Sequence, residues 1–436
     1  MIPIGLDQVA RLCEGELQVT LGATEVTGVV IDSRRVTRGD LFVAIGRGAE
    51  FAARALELGA AAVLVPADAE QALAALGRAV RERSDARVVA ITGSTGKTST
   101  KDILGALCDP HARVVAAEAS FNNELGIPLT LCRIEKDTEI AIVEIGMRGL
   151  GQIEEACRFV RPHIGLITGI GPVHLELLGT IERVAQAKAE VLLGLEPGGV
   201  GIVPAGEPLL EPFLPESVDL RRFGPGGSSS VVSFEPDGEM ARAIFEIEGE
   251  QVELELATRA RHQALNTLAA LVAYRELGLP LEGAQEGART IRLSRWRGEE
   301  TALSGGGLLI NDSYNANPTS LEAALEHQAQ IAAGRRRVAV LGMMAELGIE
   351  SDRYHRELGR RAGELGVAAV LAVGDPARAY LEEAGEVPVR EWAPDAEKAA
   401  SVAAEIVRPG DCVLVKGSRV VGLERVARAL EEAFAE

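Results

Sequence analysis

The chain has 436 residues, of which 47% are hydrophobic, and its formal net charge at pH 7 is −19. This length predicts about two to four domains with sizeable cores. The negative charge argues against nucleic acid or an anionic membrane surface as the main partner, and no run approaches the ~18 apolar residues of a membrane span, so we expect neither nucleic-acid binding nor membrane insertion.

The amino-terminal region predicts a small α/β domain over residues 1–85. Its sequence contains apolar runs typical of short strands and an alanine-rich helix that ends near Gly59. The expected strands are 29–31, 41–45 and 61–65.

Residues 86–296 predict a central P-loop-type domain with a doubly wound sheet, because buried apolar runs alternate with helical patterns. The expected elements are strands at 87–91, 140–144 and 164–168, a helix from Lys97 to Leu107, and antiparallel strands between 231 and 256. Residues 297–436 predict a Rossmann-like domain with strands at 308–310, 338–342, 370–374 and 412–416. The predicted fold class is therefore α/β, in three domains.

The amino terminus and the cysteines indicate the cellular compartment of the protein. The first residues, MIPIGLD, lack the charged and apolar regions of a signal peptide. The five cysteines are scattered without CxxC spacing, so disulfides and zinc sites are weak hypotheses. We expect a cytoplasmic protein.

The most informative motif is TGSTGKT at residues 92–98, which follows a predicted strand and opens a predicted helix. In such a loop, backbone N–H groups and the helix N-terminus face an anion, Lys97 reaches the β- and γ-phosphates, and Thr98 can hold Mg²⁺. Ile91 stands where the general GxxxxGK[ST] pattern has its first glycine, which points to a narrower set of ATP users. A glycine turn that only connects strand to helix is the alternative. The candidate nucleotide-binding residues of the loop are Gly93, Ser94, Thr95, Gly96, Lys97, Thr98 and Ser99.

Polar residues at two neighbouring strand ends predict a metal site. Glu144 ends one predicted strand, and His174 lies in the loop after the next. The carboxyl ends of parallel strands form the crevice where α/β sheets bind ligands, so both side chains are candidate Mg²⁺ ligands. The alternatives are a strand-end carboxylate solvated in a loop and an exposed loop histidine.

Lysine is rare in this chain, with six lysines among 45 basic residues. Each lysine is therefore a candidate for a role that needs a primary amine. Lys188 lies in a predicted amphipathic helix on a face of small residues. A surface lysine whose stem covers apolar residues is the alternative.

Two further segments carry dense polar groups. Asn266 lies near the start of a predicted helix, where it could bind an adenine edge or serve local structure. The octet NDSYNANP at residues 311–318 follows a strand and precedes a helix. Such a turn is usual at a helix entrance, but this one is unusually rich in hydrogen-bonding groups.

Taken together, these stretches resemble the Mur ligase family of cytosolic peptidoglycan enzymes. The resemblance covers essentially the whole chain in the family's order. It rests on DSR at 32–34, GDLFVA at 39–44, the loop at 92–100, FNNELGIPLT at 121–130, EIGM at 144–147, HLE at 174–176 with Lys188, the octet at 311–318, and VKGSR at 415–419.

The resemblance implies an amino-terminal UDP-binding domain, a central ATPase domain and a carboxy-terminal Rossmann-like domain. It implies that Lys97 and Thr98 hold ATP phosphates and a first Mg²⁺, and that Glu144 and His174 help to ligate the metals. Lys188 matches the family's carbamoylated lysine, whose carbamate supports a second Mg²⁺. The remaining nucleotide contacts implied are Asn266 to adenine, Arg297 to phosphate and Asp312 to ribose.

Substrate residues are implied in the same way. Ser33 matches a position where the UDP group is recognised, and Asn122 and Asn123 match the muramoyl-binding loop. The octet, with Tyr314, Asn315 and Asn317 as candidate substrate residues, resembles the members that use ATP to join D-alanyl-D-alanine to UDP-N-acetylmuramoyl-tripeptide through an acyl phosphate. We expect a monomer with these two small-molecule substrates.

Some positions depart from the family pattern. The segment GRGAEF at 46–51 is shorter than usual and lacks an Asp-Gly-His-like run, and Met343 stands where an aspartate is common. A Mur-type ligase for another amino acid, a folylpoly-γ-glutamate-synthetase-like enzyme and a regulatory protein without ligase activity are the alternatives. The octet disfavours the first two, and the intact set of loop, acidic and lysine residues disfavours the third.

Overall fold

The computed structural model describes residues 1–435 and has a mixed α/β architecture, which confirms the predicted fold class. Contacts divide the chain into two compact units. Unit 1 comprises Met1–Thr168, Gln186–Arg259 and Leu265–Arg292, and unit 2 comprises Gly169–Ala185, Ala260–Ala264 and the residues from Leu293 onward. Residues 1–85 and most of the central region share one unit, and the division into three domains stays a prediction.

The amino-terminal part of unit 1 is built around a small sheet with the strand order β2-β6-β5-β4. The strands are β1 (Ile4–Gly5), β2 (Gly15–Val19), β3 (Glu25–Val26), β4 (Gly28–Val30), β5 (Asp40–Val43) and β6 (Ala62–Pro66), and the helices are α1 (Leu6–Leu12), α2 (Ala52–Glu57) and α3 (Ala69–Arg81). β5 is buried along its whole length because it is flanked by β4 and β6, both parallel to it.

The central part of unit 1 contains a nine-stranded sheet in the order β15-β14-β13-β12-β11-β10-β7-β9-β8. Its strands are β7 (Arg87–Thr92), β8 (Val114–Ala116), β9 (Ile140–Glu144), β10 (Ile164–Ile167), β11 (Val200–Pro204), β12 (Asp219–Phe223), β13 (Ser229–Asp237), β14 (Met240–Ile247) and β15 (Glu250–Leu256). The helices of the central region are α4 (Lys97–Cys108), α5 (Gly126–Leu131), α6 (Gln152–Val160), α7 (Leu175–Leu178), α8 (Ile181–Leu193), α9 (His262–Glu276) and α10 (Ala284–Ala288).

β7 lies between β10 and β9, and all three strands are parallel. Ile91 pairs with Glu144 and Thr92 pairs with Ile167, so the three strands end at one edge of the sheet. The predicted strands at 87–91, 140–144 and 164–168 are confirmed within one residue at each end. The sheet topology thus positions the glycine loop after β7 beside Glu144.

The carboxy-terminal part of unit 2 contains a six-stranded sheet in the order β16-β17-β21-β18-β19-β20. Its strands are β16 (Glu299–Leu303), β17 (Gly307–Asp312), β18 (Arg337–Gly342), β19 (Ala369–Val373), β20 (Val389–Ala393) and β21 (Cys412–Lys416), and its helices are α11 (Pro318–Ile331), α12 (Ser351–Glu364), α13 (Ala379–Glu382), α14 (Ala396–Ile406) and α15 (Glu424–Ala433). β16 pairs antiparallel with β17, and the other pairs are parallel.

Apolar residues from both faces of this sheet form separate clusters against the helices. Within residues 1–435, none of the helices combines the length and the apolar character that crossing a membrane requires. All five cysteines are buried free thiols. The weak disulfide hypothesis is thereby set aside.

Candidate functional site

The glycine loop after β7 adopts a conformation that depends on glycine. Gly93 and Gly96 have φ values of 142° and 79°, which residues with a side chain rarely adopt. Gly96 immediately precedes α4, and Lys97 is the first helical residue. The Lys97 ammonium donates a hydrogen bond of 2.7 Å to the Gly93 carbonyl and so lies over the loop. A strand, a glycine turn and a helix N-terminus are therefore arranged as the motif predicts.

Glu144 is fully buried next to the start of α4. Its Oε1 accepts hydrogen bonds from Thr98 Oγ1 at 3.1 Å and from Asn122 Nδ2 at 2.6 Å. Its Oε2 is buried and has no hydrogen-bond partner among the described residues. Burying a carboxylate oxygen without a partner is costly, so this oxygen is available to a cation. The alternative of a carboxylate solvated in a loop is wrong.

Lys188 lies on α8 and is only 1% exposed, so the alternative of a surface lysine is wrong. No hydrogen bond or ion pair of its amine is found within residues 1–435. Burial and then the charge of Lys97 lower the pKa of Lys188 well below its usual range, while Glu190 and Glu144 oppose the shift. A buried amine with a lowered pKa is a better nucleophile than an ordinary lysine.

Lys101 has a structural role near the site that the sequence did not reveal, although its rarity as a lysine was a signal. It is 2% exposed, and its ammonium contacts the Ala117 and Ala119 carbonyls at 2.8 and 3.0 Å and Asp102 at 2.6 Å. These bonds fix the segment that leads to Asn122. Lys101 thus supports the partner of Glu144 from inside α4.

Asn266 on α9 contacts the same loop. Its Oδ1 accepts a hydrogen bond of 3.4 Å from Thr100 Oγ1, and a Cβ added at Gly96 would lie 2.4 Å from this oxygen. Gly96 is therefore required both by its backbone conformation and by the approach of Asn266.

The predicted UDP and muramoyl residues lie near a cavity of about 920 Å³ within unit 1. Asp32 and Arg35, which lie within two residues of Ser33, line the cavity, and so does Phe121, which precedes Asn122. Arg35 pairs with Glu118 at 3.1 Å at the wall. Asn123 has a structural contact as well, since its Oδ1 accepts the Gly126 N–H at 2.9 Å at the start of α5.

In unit 2, Asp312 ends β17 and is bound by a buried lysine. Lys416 Nζ donates to Asp312 Oδ2 at 2.6 Å and to the Asn315 carbonyl at 2.9 Å. Arg297 stacks on the Tyr314 ring with its guanidinium carbon 4.2 Å from the centroid. The structure thus brings together four of the predicted residues, three of them from the octet.

The octet also builds the entrance of α11. Asn317 Oδ1 accepts the Ser320 N–H at 2.9 Å, and Ser320 Oγ accepts the Asn317 N–H at 3.1 Å, which forms a reciprocal cap. Asn315 Oδ1 accepts the N–H of Ala316 at 2.9 Å. Asn317 therefore has a clear structural role in capping this helix.

His174, in unit 2, precedes α7 in a left-handed conformation with φ of 54°. Its Nδ1 lies in hydrogen-bond contact with Glu346 Oε2. Glu346 was not among the predicted site residues. Its position in the loop after β18, at the carboxyl end of a parallel strand, was the signal that could have found it.

These features define a class: an α/β protein with a glycine loop between a parallel strand and a helix, and with a buried carboxylate and a buried lysine in the same unit. Within residues 1–435 no group of three or more His, Cys, Asp or Glu side chains is arranged to hold a metal by itself. Any metal here would therefore take ligands from other groups as well.

Comparison with known proteins gives the family. The model of the Mur ligase middle domain matches residues 91–274, and that of the Mur ligase glutamate ligase domain matches residues 296–419. The UDP-N-acetylmuramoyl-tripeptide–D-alanyl-D-alanine ligase of Bacillus subtilis (strain 168) is 30% identical over 99% of both chains. The chain belongs to the Mur ligase family, which confirms the resemblance.

Solved structures agree with this assignment. A crystal structure of MurF from Acinetobacter baumannii has a TM-score of 0.86 at 29% identity and covers 99% of both chains. The structure of MurF ligase from Thermotoga maritima in complex with ADP has a TM-score of 0.80 at 28% identity and covers 93% of this chain and 97% of that one.

Proposed function

We propose that this chain is an ATP-dependent amide ligase that joins D-alanyl-D-alanine to UDP-N-acetylmuramoyl-tripeptide in peptidoglycan precursor synthesis. It acts as a cytoplasmic monomer. The observation that carries the proposal is the group formed by the glycine loop, Thr98 and Glu144 in a chain that matches such ligases over its full length.

ATP binding is supported by the loop and by the ADP complex of the Thermotoga maritima relative. We propose that the loop amides and Lys97 contact the β- and γ-phosphates. Asn266, which already approaches Gly96, would contact the adenine. Arg297 and Asp312 of unit 2 would contact phosphate and ribose, and their contacts with Tyr314 and Lys416 hold both side chains in place.

Mg²⁺ fits the residues around Thr98. An oxygen of Glu144 is buried without a hydrogen-bond partner in the part of the chain that the structure describes, and the Thr98 hydroxyl lies beside the same carboxylate. Mg²⁺ is commonly bound by one or two carboxylates together with substrate phosphates and water, so Glu144 and Thr98 could hold it without a further protein carboxylate. When bound, Mg²⁺ neutralises charge on the transferred phosphoryl group. We propose that His174 serves a second ion.

Lys188 is proposed to carry a carbamate that serves this second ion. The neutral amine adds to carbon dioxide, a C–N bond forms, and a proton leaves. Burial and the lowered pKa of Lys188 support this step, because they keep the amine neutral and nucleophilic. Arginine could not replace it, since its guanidinium stays protonated.

The cavity beside Ser33 is the proposed site of the UDP-linked substrate. Its volume of about 920 Å³ suits a ligand of nucleotide-sugar size, and Arg35, Arg113 and Arg133 at its wall can meet a diphosphate. The same lining carries carboxylates, and the three arginines pair with Glu118 and Asp137, so the diphosphate would have to take the place of these ion pairs. Asn122 and Asn123 follow Phe121 of the same wall. The dipeptide is assigned to Tyr314, Asn315 and Asn317 of the octet.

The mechanism requires positioning and charge neutralisation more than covalent chemistry by the protein. The terminal carboxylate of the tripeptide attacks the γ-phosphorus of ATP, so an acyl phosphate forms and ADP leaves. The amine of D-alanyl-D-alanine attacks the acyl carbon, the bond to phosphate breaks, and an amide and inorganic phosphate result. Lys97 neutralises the charge that develops on the phosphoryl oxygens.

One assay tests the proposal. ATP-dependent phosphate release is measured with UDP-N-acetylmuramoyl-tripeptide and either D-alanyl-D-alanine or a panel of single amino acids. The tripeptide is supplied in two forms, with lysine or with diaminopimelate as its third residue. We expect phosphate release only when the acceptor is the dipeptide. Equal release with a single amino acid would assign the chain to a different ligase, and no release with any acceptor would leave it without this function.

A further inference from the structure

The contact between His174 and Glu346 lies outside every role assigned above. Both side chains belong to unit 2, and both are partly buried, with side-chain exposures of 25% and 32%. His174 comes from the region of the middle-domain family model, whereas Glu346 comes from the region of the carboxy-terminal one. The segments that carry His174 and Glu346 are far apart in the sequence, and they come into contact at the imidazole of His174.

The backbone holds this contact in a strained conformation. Glu346 has φ of 63°, which is uncommon for a residue with a side chain, and its carbonyl accepts the Glu176 N–H at 3.1 Å. A Cβ added at Gly348 would lie 3.2 Å from Glu176 Cα, so the segments approach closely. Strain of this kind persists only where the surroundings impose it, and it concentrates at functional sites.

The loop that carries Glu346, residues 343–348, is fixed by buried partners. The Met344 N–H donates to His355 Nε2 at 3.0 Å, and His355 Nδ1 contacts the Ser351 carbonyl at 2.7 Å. The Ala345 N–H donates to Ser418 Oγ at 2.9 Å. His355 is completely buried. These hydrogen bonds fix the backbone of the loop and so hold the Glu346 side chain in contact with His174.

We propose that Glu346 is a positioning residue that holds the His174 ring with its hydrogen on Nδ1 and thereby leaves the Nε2 lone pair as the one that can bind a metal ion. A carboxylate accepts hydrogen bonds and cannot donate them, so its contact selects this tautomer. Histidines that bind metals usually donate their other N–H to such a partner. The inference rests on the proposed function, which gives His174 its role at Mg²⁺.

The test uses two variants and a matched control. Glu346→Gln keeps the size of the side chain, but its amide can donate or accept and so no longer selects one tautomer. Glu346→Ala removes the contact. Glu350→Gln is the control, because Glu350 follows the same loop and its side chain pairs with Arg353 at 2.6 Å.

The first readout is the ¹⁵N spectrum of the imidazoles at a pH well above 6.5, with the His174 signal assigned through His174→Gln. We expect the Nδ1–H tautomer in the wild type and in Glu350→Gln, and a mixture or the Nε2–H tautomer in Glu346→Gln. An unchanged tautomer in both Glu346 variants would overturn the proposal. This spectrum needs no ligase activity, so it stands apart from the proposed function.

The second readout is the Mg²⁺ concentration that gives half-maximal phosphate release. Loss of such a partner typically weakens metal affinity by about 10-fold to 100-fold, so we expect a rise of that size in Glu346→Gln and none in Glu350→Gln. The Glu346 variants could instead lose activity and stability in urea together while their Mg²⁺ requirement stays unchanged. That result would show that the contact is merely structural, and it would contradict the proposal. A wild type without ATP-dependent release would instead refute the proposed function.

Discussion

Glu144 and Thr98 are joined by a hydrogen bond of 3.1 Å, which ties the end of β9 to the first turn of α4. The other oxygen of Glu144 is buried with no partner among the described residues. Because this arrangement costs stability in the protein without ligands, it is typical of a site that is completed by a cation.

Glu144→Gln is expected to separate function from stability. The amide keeps the shape but removes the buried charge, so the free energy of unfolding in urea should stay equal or rise. Phosphate release should fall by about 100-fold or more, because a charge that binds the metal is lost. Glu391→Gln, at an exposed position, is the control. Near-normal release in Glu144→Gln would remove Glu144 from the metal site.

Lys97→Ala is expected to abolish ligation. The ammonium lies over the glycine loop at 2.7 Å from the Gly93 carbonyl, where it can neutralise phosphoryl oxygens. We expect phosphate release to fall by about 100-fold or more, and binding of an ATP analogue to weaken in calorimetry. Lys398→Ala removes an exposed lysine and should behave as the wild type. Normal turnover of Lys97→Ala would refute the nucleotide assignment.

Lys188→Ala and Lys188→Arg are expected to be equally impaired, because neither side chain forms a carbamate. Short carboxylic acids added to Lys188→Ala should restore part of the activity by replacing the carbamate oxygens. With ¹³C-labelled bicarbonate, a carbamate carbon signal should appear in the wild type and be absent from both variants. Full activity of Lys188→Arg would refute the carbamate.

Gly96→Ala tests the approach of Asn266 to the loop. Gly96 and Gly22 have similar φ values, 79° and 84°. Among residues 1–435, a Cβ at Gly22 would meet nothing within 4 Å, whereas one at Gly96 would lie 2.4 Å from Asn266 Oδ1. Gly22→Ala should cost about 1–2 kcal/mol of unfolding free energy, and Gly96→Ala clearly more, with weaker nucleotide binding. If urea denaturation gave the same loss of unfolding free energy for both variants, the Asn266 side chain would be able to move away from the added Cβ at little cost.

His355 predicts a pH dependence of stability. Burial lowers the pKa of His355 below 6.5, against the opposing hydrogen bond to Ser351 and the charge of Asp352. The folded state thus binds the His355 proton less readily than the unfolded state does. The contribution of neutral His355 to the free energy of unfolding is therefore complete above about pH 6.5 and is lost as the pH falls toward the folded-state pKa. Between pH 7.5 and 5.5, His355→Gln should lose less stability than the wild type, by up to about 1.4 kcal/mol per pH unit. If the free energy of unfolding in urea changed with pH by the same amount in both proteins, this prediction would be contradicted.

The strands and helices that position the loop were predictable because their signals are local. β7, β9 and β10 are continuous apolar runs, and the glycine motif marks the turn before α4. Short, half-exposed strands such as β8 and β20 were missed, because their burial depends on neighbours distant in the sequence.

Site chemistry was predictable where residue types were rare or placed at strand ends, as for Lys188 and Glu144. The sequence could not reveal that Asn122 binds Glu144 or that Lys416 binds Asp312, since these pairs lie 22 and 104 residues apart. Glu346 was missed because its importance arises only from a contact with His174, which is 172 positions away.

The distribution of lysines makes the chain a selective target for labelling. Three of the six lysines are at most 3% exposed, namely Lys101, Lys188 and Lys416, and Lys97 is partly buried in the glycine loop. Amine-reactive dyes or supports should therefore attach mainly at Lys136 and Lys398, both exposed. The slower modification of Lys97 can then be followed by peptide mass spectrometry while a nucleotide is titrated, and its rate reports whether the glycine loop is occupied.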